Sequence, residues 1–484
     1  MTENLKKETA KGVLWSGIEK FASGGVLFLA NIVLARILTP NDFGLLAVIA
    51  VFVQISQTFI DSGFSNALIQ KKNRSQTDYS TVFIFNIAIS ISLYSILFFC
   101  APLIAHFFDN NKLTSLTRII GLNLIIGALM SVHKTRLTVE LRFKFQSMIT
   151  LIASIISATI AIWMAYNGFG VWSLVILTIT NTSIQVTLIY LFFKWHPSLL
   201  FSKESFKQLF SYSSKLLGAS LIHLLYRNIY PIIIGKKFTP IQLGYFNRAD
   251  TFAQYVPMTI GNVISRVAFP IFSRIQDNND RLRKAYSKYI VFSSLIIFPF
   301  MIGLIVMAKP LTLLILTDKW LPMVPMLQIL CIDWMTDHIC SINLNVLFVK
   351  GRSDLAFKLE LIKKTLALGI FFISLNWGII GVCWGRVVYA IFAVYLNSYY
   401  TNKLIGISLM CQIKDILLPL VQASVMGIMI VCLQLIYSNM NELINMGLNL
   451  LIGIITYIVI VYITNKNYIV EFKNLILIIK NNKS

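Results

Sequence analysis

The chain has 484 residues, of which 57% are hydrophobic and only 13% charged, with a mean hydropathy of +0.74, and that balance excludes a soluble protein. Its 42 Lys and Arg against 20 Asp and Glu give a formal net charge of +22, which in a soluble chain would point to nucleic acid. In a membrane protein the same excess follows from basic cytoplasmic loops, so no nucleic-acid partner is expected.

A transmembrane helix needs about 20 apolar residues, and such runs fill the chain almost end to end. The first, residues 13–37, carries Glu19 and Lys20 and is followed by no small-x-small cleavage site, so it reads as a retained span rather than a signal peptide. The turn Leu38-Thr39-Pro40-Asn41-Asp42-Phe43-Gly44-Leu45 leads into a second run, residues 43–65, which carries Asp61. Further spans are expected at 80–106, 114–133, 146–166, 170–193, 213–235, 242–272, 287–308, 322–348, 358–376, 379–401, 415–437 and 444–464. The chain thus reads as an all-α polytopic membrane protein of about 14 transmembrane helices.

The loops alternate in charge. Lys71, Lys72 and Arg74, then Lys134, Arg136, Arg142 and Lys144, then Arg274, Arg281, Arg283, Lys284 and Lys288 belong to the basic set, as do both termini. The intervening loops hold only Arg36, Lys112, Lys236, Lys237, Lys309 and Lys319. This pattern places both termini in the cytoplasm and draws the basic loops to anionic membrane lipids. Ser202–Ser211 and the tail beyond residue 465 have apolar residues at helical spacing among lysines, as expected of helices lying flat on the cytoplasmic surface.

An internal repeat is visible. Thr39-Pro40-x-x-Phe43-Gly44-Leu45 returns as Thr239-Pro240-x-x-Leu243-Gly244-Tyr245, an offset of 200 residues, and Gly168-Phe169-Gly170-Val171 resembles Gly378-Ile379-Ile380-Gly381-Val382. Six spans separate the copies of the first motif, so the halves share an orientation, as in transporters that rock two bundles about a central site. The expected organisation is a six-helix lobe over 1–193, an interfacial linker over 194–212, a second six-helix lobe over 213–401, two further helices within 402–464, and an amphipathic tail over 465–484.

These motifs carry a family likeness. Leu34-Ala35-Arg36-Ile37-Leu38-Thr39-Pro40-x-Asp42-Phe43-Gly44 and Phe59-Ile60-Asp61-Ser62-Gly63-Phe64-Ser65-Asn66-Ala67-Leu68-Ile69-Gln70 resemble the Wzx-type polysaccharide flippases of the multidrug/oligosaccharidyl-lipid/polysaccharide exporter superfamily. The branch is that of colanic and teichuronic acid export, and Asp78-Tyr79-Ser80, Lys319-Trp320-Leu321-Pro322 and Gly351-Arg352-Ser353-Asp354 extend the likeness along the chain. The resemblance implies a two-lobed, alternating-access flippase in the bacterial inner membrane, moving an undecaprenyl-pyrophosphate-linked oligosaccharide between leaflets. Spans one, two, seven and eight would face its cavity, and polysaccharide polymerase and chain-length machinery would be its partners.

Each charge at membrane depth costs roughly 2.5–3.5 kcal/mol on insertion scales, so such residues mark candidate sites. A pyrophosphate needs cations, and Arg offers a fork of donors matched to its oxygens, so Arg227, Arg248 and Arg266, with Lys20, are the candidate cradle. Snorkelling or helix-to-helix pairing is the alternative for each. Glu19, Asp61 and Asp250 either pair with these cations or bind H⁺ or Na⁺. Asp333 and Asp337, four apart in one expected span, share a helix face, and Arg386 stands in span twelve. The repeat copies the turns but not these charges.

Trp320 and Trp377 fall at span ends as an aromatic belt. Pro257 with Gly261, and Pro299, mark kinks, and the six cysteines read as small core residues. No catalytic residue, metal site or cofactor is expected. The competing readings are a drug/cation antiporter of the same superfamily, which would line its cavity with carboxylates, and a membrane polysaccharide polymerase or ligase, which would need a larger outward loop than 308–321. The sequence leaves open the glycan, the coupling ion, the oligomeric state and the facing of the cavity.

Overall fold

A computed structural model describes residues 22–61, 64–71, 73–198, 200–436 and 442–464. Long apolar runs leave the backbone no partner but itself in hydrocarbon, and accordingly every regular element among the described residues is a helix. The chain divides into two compact units, Met1–Asn247 and Arg248–Ser484.

The first unit contains α1 (Ala22–Ile37), α2 (Pro40–Asp61), α3 (Phe64–Gln70), α4 (Gln76–Phe107), α5 (Lys112–Val139), α6 (Phe143–Tyr166), α7 (Val171–Phe192) and α8 (Lys203–Lys237). Here α4 packs on α5, α7 on α5 and α6, and α2 on α5 and α8. Small residues line one of the packed faces: Ala158, Ala161 and Ala165 of α6 share one buried cluster with Leu34 and Leu38.

A second cluster joins Phe64, Leu68, Tyr79, Leu137, Trp195 and Leu209, so the segment between α7 and α8 is packed onto the bundle rather than looped out. Asp78, 1% exposed, organises the polar side of this junction. It caps α4 reciprocally with Ser75, takes a bond from Lys71 Nζ at 2.8 Å and another from the Ser205 hydroxyl in the first turn of α8. Asp78→Ala removes the cap and strands these donors, at a cost of about 2–3 kcal/mol in thermal unfolding. Asp78→Asn, which retains one acceptor oxygen, is expected to recover part of that, and equal stability of the two variants would show that the polar junction does not hold α8.

The second unit contains most of α9 (Pro240–Arg274), then α10 (Asn279–Val306), α11 (Ala308–Ile315), α12 (Val324–Trp334), α13 (Asp337–Val349), α14 (Ser353–Ser374), α15 (Gly378–Ile405), α16 (Leu409–Ile436) and α17 (Glu442–Thr464). α15 packs against α12, α13 and α14, α10 lies against α16, and α17 rests on α16. Between α10, α13, α15 and α16 runs a buried polar chain: Tyr286 donates to Asn343 at 2.9 Å, while Asn343 and Ser398 both donate to Gln412 Oε1, at 3.1 and 2.9 Å. Large apolar side chains stay exposed on outer helix faces, including Phe99 at 75%, Leu103 at 69% and Leu435 at 74%, as a lipid environment allows.

Every expected span has a helical counterpart, and nine segments among the described residues have the length and hydropathy to cross a membrane. Four expectations are corrected. Span ten is broken: α12 ends at Trp334 and α13 begins at Asp337, so Asp333 and Asp337 do not share one continuous helix face. Ser202–Ser211 is not a separate element, because α8 runs unbroken from Lys203 with Ser202 capping Ser205.

Trp320, placed in the interfacial belt by its position, is fully buried within a short 3₁₀ turn, whereas Trp377 is 68% exposed. Of the cysteines, Cys331 and Cys383 are core residues, but Cys411 and Cys432 are exposed. The helical assignment of α9 and α10 continues through Pro257 and Pro299.

Candidate functional site

In the second unit, charged residues from three separate helices meet. Asp250 lies ten residues into α9, Asp333 nine residues into α12 and Arg386 eight residues into α15. At a rise of about 1.5 Å per residue, all three stand roughly 12–15 Å from the starts of their helices.

Arg386 bridges the two carboxylates. Its Nη1 lies 2.7 Å from Asp250 Oδ1 and its Nη2 2.5 Å from Asp333 Oδ2. The planar fork reaches both acids at once, a geometry that an ammonium cannot copy. Trp334, the last residue of α12, donates its indole N–H to Asp250 Oδ1 at 2.9 Å and presents its ring 5.6 Å from the guanidinium. Side-chain exposures are 16% for Arg386, 25% for Asp250 and 12% for Asp333, so the group is half-buried rather than sealed.

The break between α12 and α13 borders this cluster and brings Asp337 to the first turn of α13. On α14, Lys363 is buried and pairs with Glu360 one turn away. Two carboxylates around one guanidinium make an assembly with an excess negative charge, which grows, and with it the capacity to hold a cation, when Arg386 moves away. His338, next in sequence, is fully buried and bonded to Ser294, as an ordinary polar core residue.

Of the sequence-expected candidates, Arg248 and Asp250 have described side chains. Arg248 is buried, with its guanidinium 5.6 Å from the centroid of the Trp320 ring. Asp250 pairs with Arg386, a cation outside the expected cradle. Glu19 and Lys20 lie outside the described residues, as do the side chains of Asp61, Arg227 and Arg266. Arg386 as the partner of Asp250 was missed, although counting residues from the Pro240 and Gly378 turns places the two at equal depth.

The turns of the repeat are capped alike. Thr39 donates from backbone and hydroxyl to Asp42 Oδ2, at 2.9 and 2.7 Å, and Thr239 exchanges bonds of 3.4 and 3.2 Å with Gln242. Thr-Pro is therefore an N-cap followed by proline at the first helical position, completed by an acid or amide two residues further on. The second repeated motif also persists: Gly168 and Gly378 both adopt positive φ, +81° and +72°. Next to the second capped turn, Lys236 donates to Asp109 at 2.9 Å, and that bond holds the Asp109 carboxyl below the usual carboxylate range.

Residues 33–325, more than half of the chain, match the family model described as polysaccharide biosynthesis protein. The chain belongs to that family. Among its relatives are the teichuronic acid biosynthesis protein TuaB of Bacillus subtilis, 25% identical over 88% of this chain and 89% of that protein, and the lipopolysaccharide biosynthesis protein WzxC of Escherichia coli K12, 26% identical over 86% and 85%.

The fold is that of polytopic membrane transporters. A solved structure of the lipid II flippase MurJ in an inward-closed conformation superposes with a TM-score of 0.75 over 94% of this chain and all of that one, at 17% identity. An inward-facing multidrug transporter of the MATE family follows with a TM-score of 0.60, covering 81% and 98% at 14% identity. This family member is a multi-pass membrane protein on a transporter fold and not an enzyme.

Proposed function

We propose that the chain is a flippase that carries an undecaprenyl-pyrophosphate-linked oligosaccharide across the bacterial inner membrane for surface polysaccharide assembly, by alternating access. One observation carries the reading: alignment over most of both lengths with proteins named for teichuronic acid and lipopolysaccharide biosynthesis. Both termini face the cytoplasm in this reading, which follows from the alternating basic loops.

The head group is met by Arg227, Arg248, Arg266 and Lys20, whose charges offset its phosphates as it leaves water. Arg227 stands ten residues before the end of α8, roughly 15 Å from that end, which supports the depth expected of it from the sequence. Arg248 rests against Trp320, so a substrate reaches it only after that contact opens. Among the acids proposed for coupling, Asp250 is held by Arg386, which favours charge pairing in this conformation and leaves cation uptake to a state in which the bridge has parted. The antiporter reading is less favoured because the candidate cavity cations, Lys20, Arg227, Arg248 and Arg266, outnumber Glu19, Asp61 and Asp250.

Deleting the gene is expected to strand lipid-linked oligosaccharide on the cytoplasmic face, measured by its resistance to an external glycosidase. Arg227→Ala is expected to do the same while protein still reaches the membrane. Normal glycan export by that variant would remove Arg227 from the cradle, and export without the gene would sink the flippase reading.

A further inference from the structure

The cap explains Thr, Pro and the third helical residue of the repeated turn, but not its glycine. Gly44 and Gly244 are the fifth residues of α2 and α9, where glycine is less favourable than alanine, and neither has a positive φ. Local conformation therefore does not call for them.

Space does. A Cβ on Gly44 would stand 1.8 Å from the Pro240 carbonyl oxygen, and a Cβ on Gly244 would stand 2.0 Å from the Pro40 carbonyl oxygen. Each would also lie 3.2 Å from the backbone nitrogen of the opposite glycine. The contact is reciprocal, as a two-fold relation between the copies requires, and both turns lie in the first unit. Any side chain at either position forces the turns apart, because what it meets is backbone.

Such glycine-to-carbonyl contacts are close but individually weak, so their strength comes from fit rather than from ion pairs. Weakness and symmetry suit a contact that is made and broken. Each turn is meanwhile capped within itself, so it keeps its shape when the other leaves.

We propose that Gly44 and Gly244 are positioning residues that latch the α1–α2 turn onto the α8–α9 turn, and that the latch parts and re-forms in each transport cycle. The inference rests on the flippase reading for its cycle, though the latch itself is a property of the protein alone. By the alternation of basic loops the turns belong to the side opposite the cytoplasm, so in the flippase reading latching closes the exit side.

The test uses the full chain in membranes, with its six native cysteines replaced and Asn41→Cys with Ile241→Cys introduced on the two turns. A reducible bis-maleimide is expected to join the pair, to abolish glycan export, and to release it again on reduction. Gly44→Ala or Gly244→Ala is expected to reduce joining and to increase labelling of the introduced thiol at position 41 by an impermeant maleimide. Because an alanine variant can fail to fold, the joined pair, which leaves both glycines intact, stands as an independent arm. Export at the unlinked rate by the joined protein overturns the proposal, as do folded alanine variants that join, label and export like the parent. Joining and labelling that behave as expected, in cells where gene deletion strands no lipid-linked oligosaccharide, would instead overturn the flippase reading and keep the latch.

Discussion

Arg386→Met is expected to destabilise the protein by about 3–5 kcal/mol and to stop transport, because it leaves Asp250 and Asp333 facing each other at membrane depth without their shared cation. The loss is read as a lower midpoint of thermal unfolding in detergent and as stranded lipid-linked glycan in cells. Arg386→Lys retains the charge but cannot span both acids, so an intermediate loss is expected. The decisive variant is triple: Asp250→Asn and Asp333→Asn added to Arg386→Met remove the uncompensated charge and are expected to restore stability well beyond the sum of the single effects. If stability returns but transport does not, the cluster serves the transport cycle beyond holding α9, α12 and α15 together. If Arg386→Met is as stable as the parent, the bridge contributes nothing and the cluster is a solvated crevice.

Trp320→Ala is expected to cost about 3–5 kcal/mol, since the side chain is fully buried and its loss leaves a large cavity. It also takes the ring from under the Arg248 guanidinium, a contact worth about 0.5–2 kcal/mol. Trp320→Phe, which refills most of the space, is expected to recover most of the stability. Accessibility gives a second readout: Arg248→Cys in a cysteine-free background is expected to resist an aqueous maleimide while Trp320 is present and to react once Trp320 is alanine. Equal reactivity in both backgrounds would mean that Trp320 does not cover that position.

Much of the architecture was legible because a membrane reduces folding to a length rule. About 20 apolar residues mark a helix wherever they occur, so α4 to α7 and α14 to α17 could be placed from the runs between Gly, Pro and charge. Where the rule failed, local chemistry lay beneath the resolution of hydropathy. The break at Met335–Thr336 falls inside a run that reads as one span by hydropathy; Asp333, Thr336, Asp337 and His338 interrupt it there, but polar residues in a span mark a site as readily as a break. Trp320 looked interfacial because loop tryptophans usually are, yet it folds inward to meet a cation from another helix. The fusion of Ser202–Ser211 into α8 depended on Asp78, more than 120 residues away, which holds the Ser205 hydroxyl.

By itself the sequence determined the helical class, the alternation of its loops, the repeated Thr-Pro turns, and the presence of charges too costly to be idle at membrane depth. Each of these is a local property, decided by hydrocarbon thickness, by capping, or by the cost of moving a charge out of water. Only the tertiary structure decided who meets whom. Asp250 found Arg386, a cation outside the expected cradle and 136 residues away, because position along packed helices matters more than nearness in sequence. Gly44 found Pro240, because two copies of one turn can lie together only where neither carries a side chain.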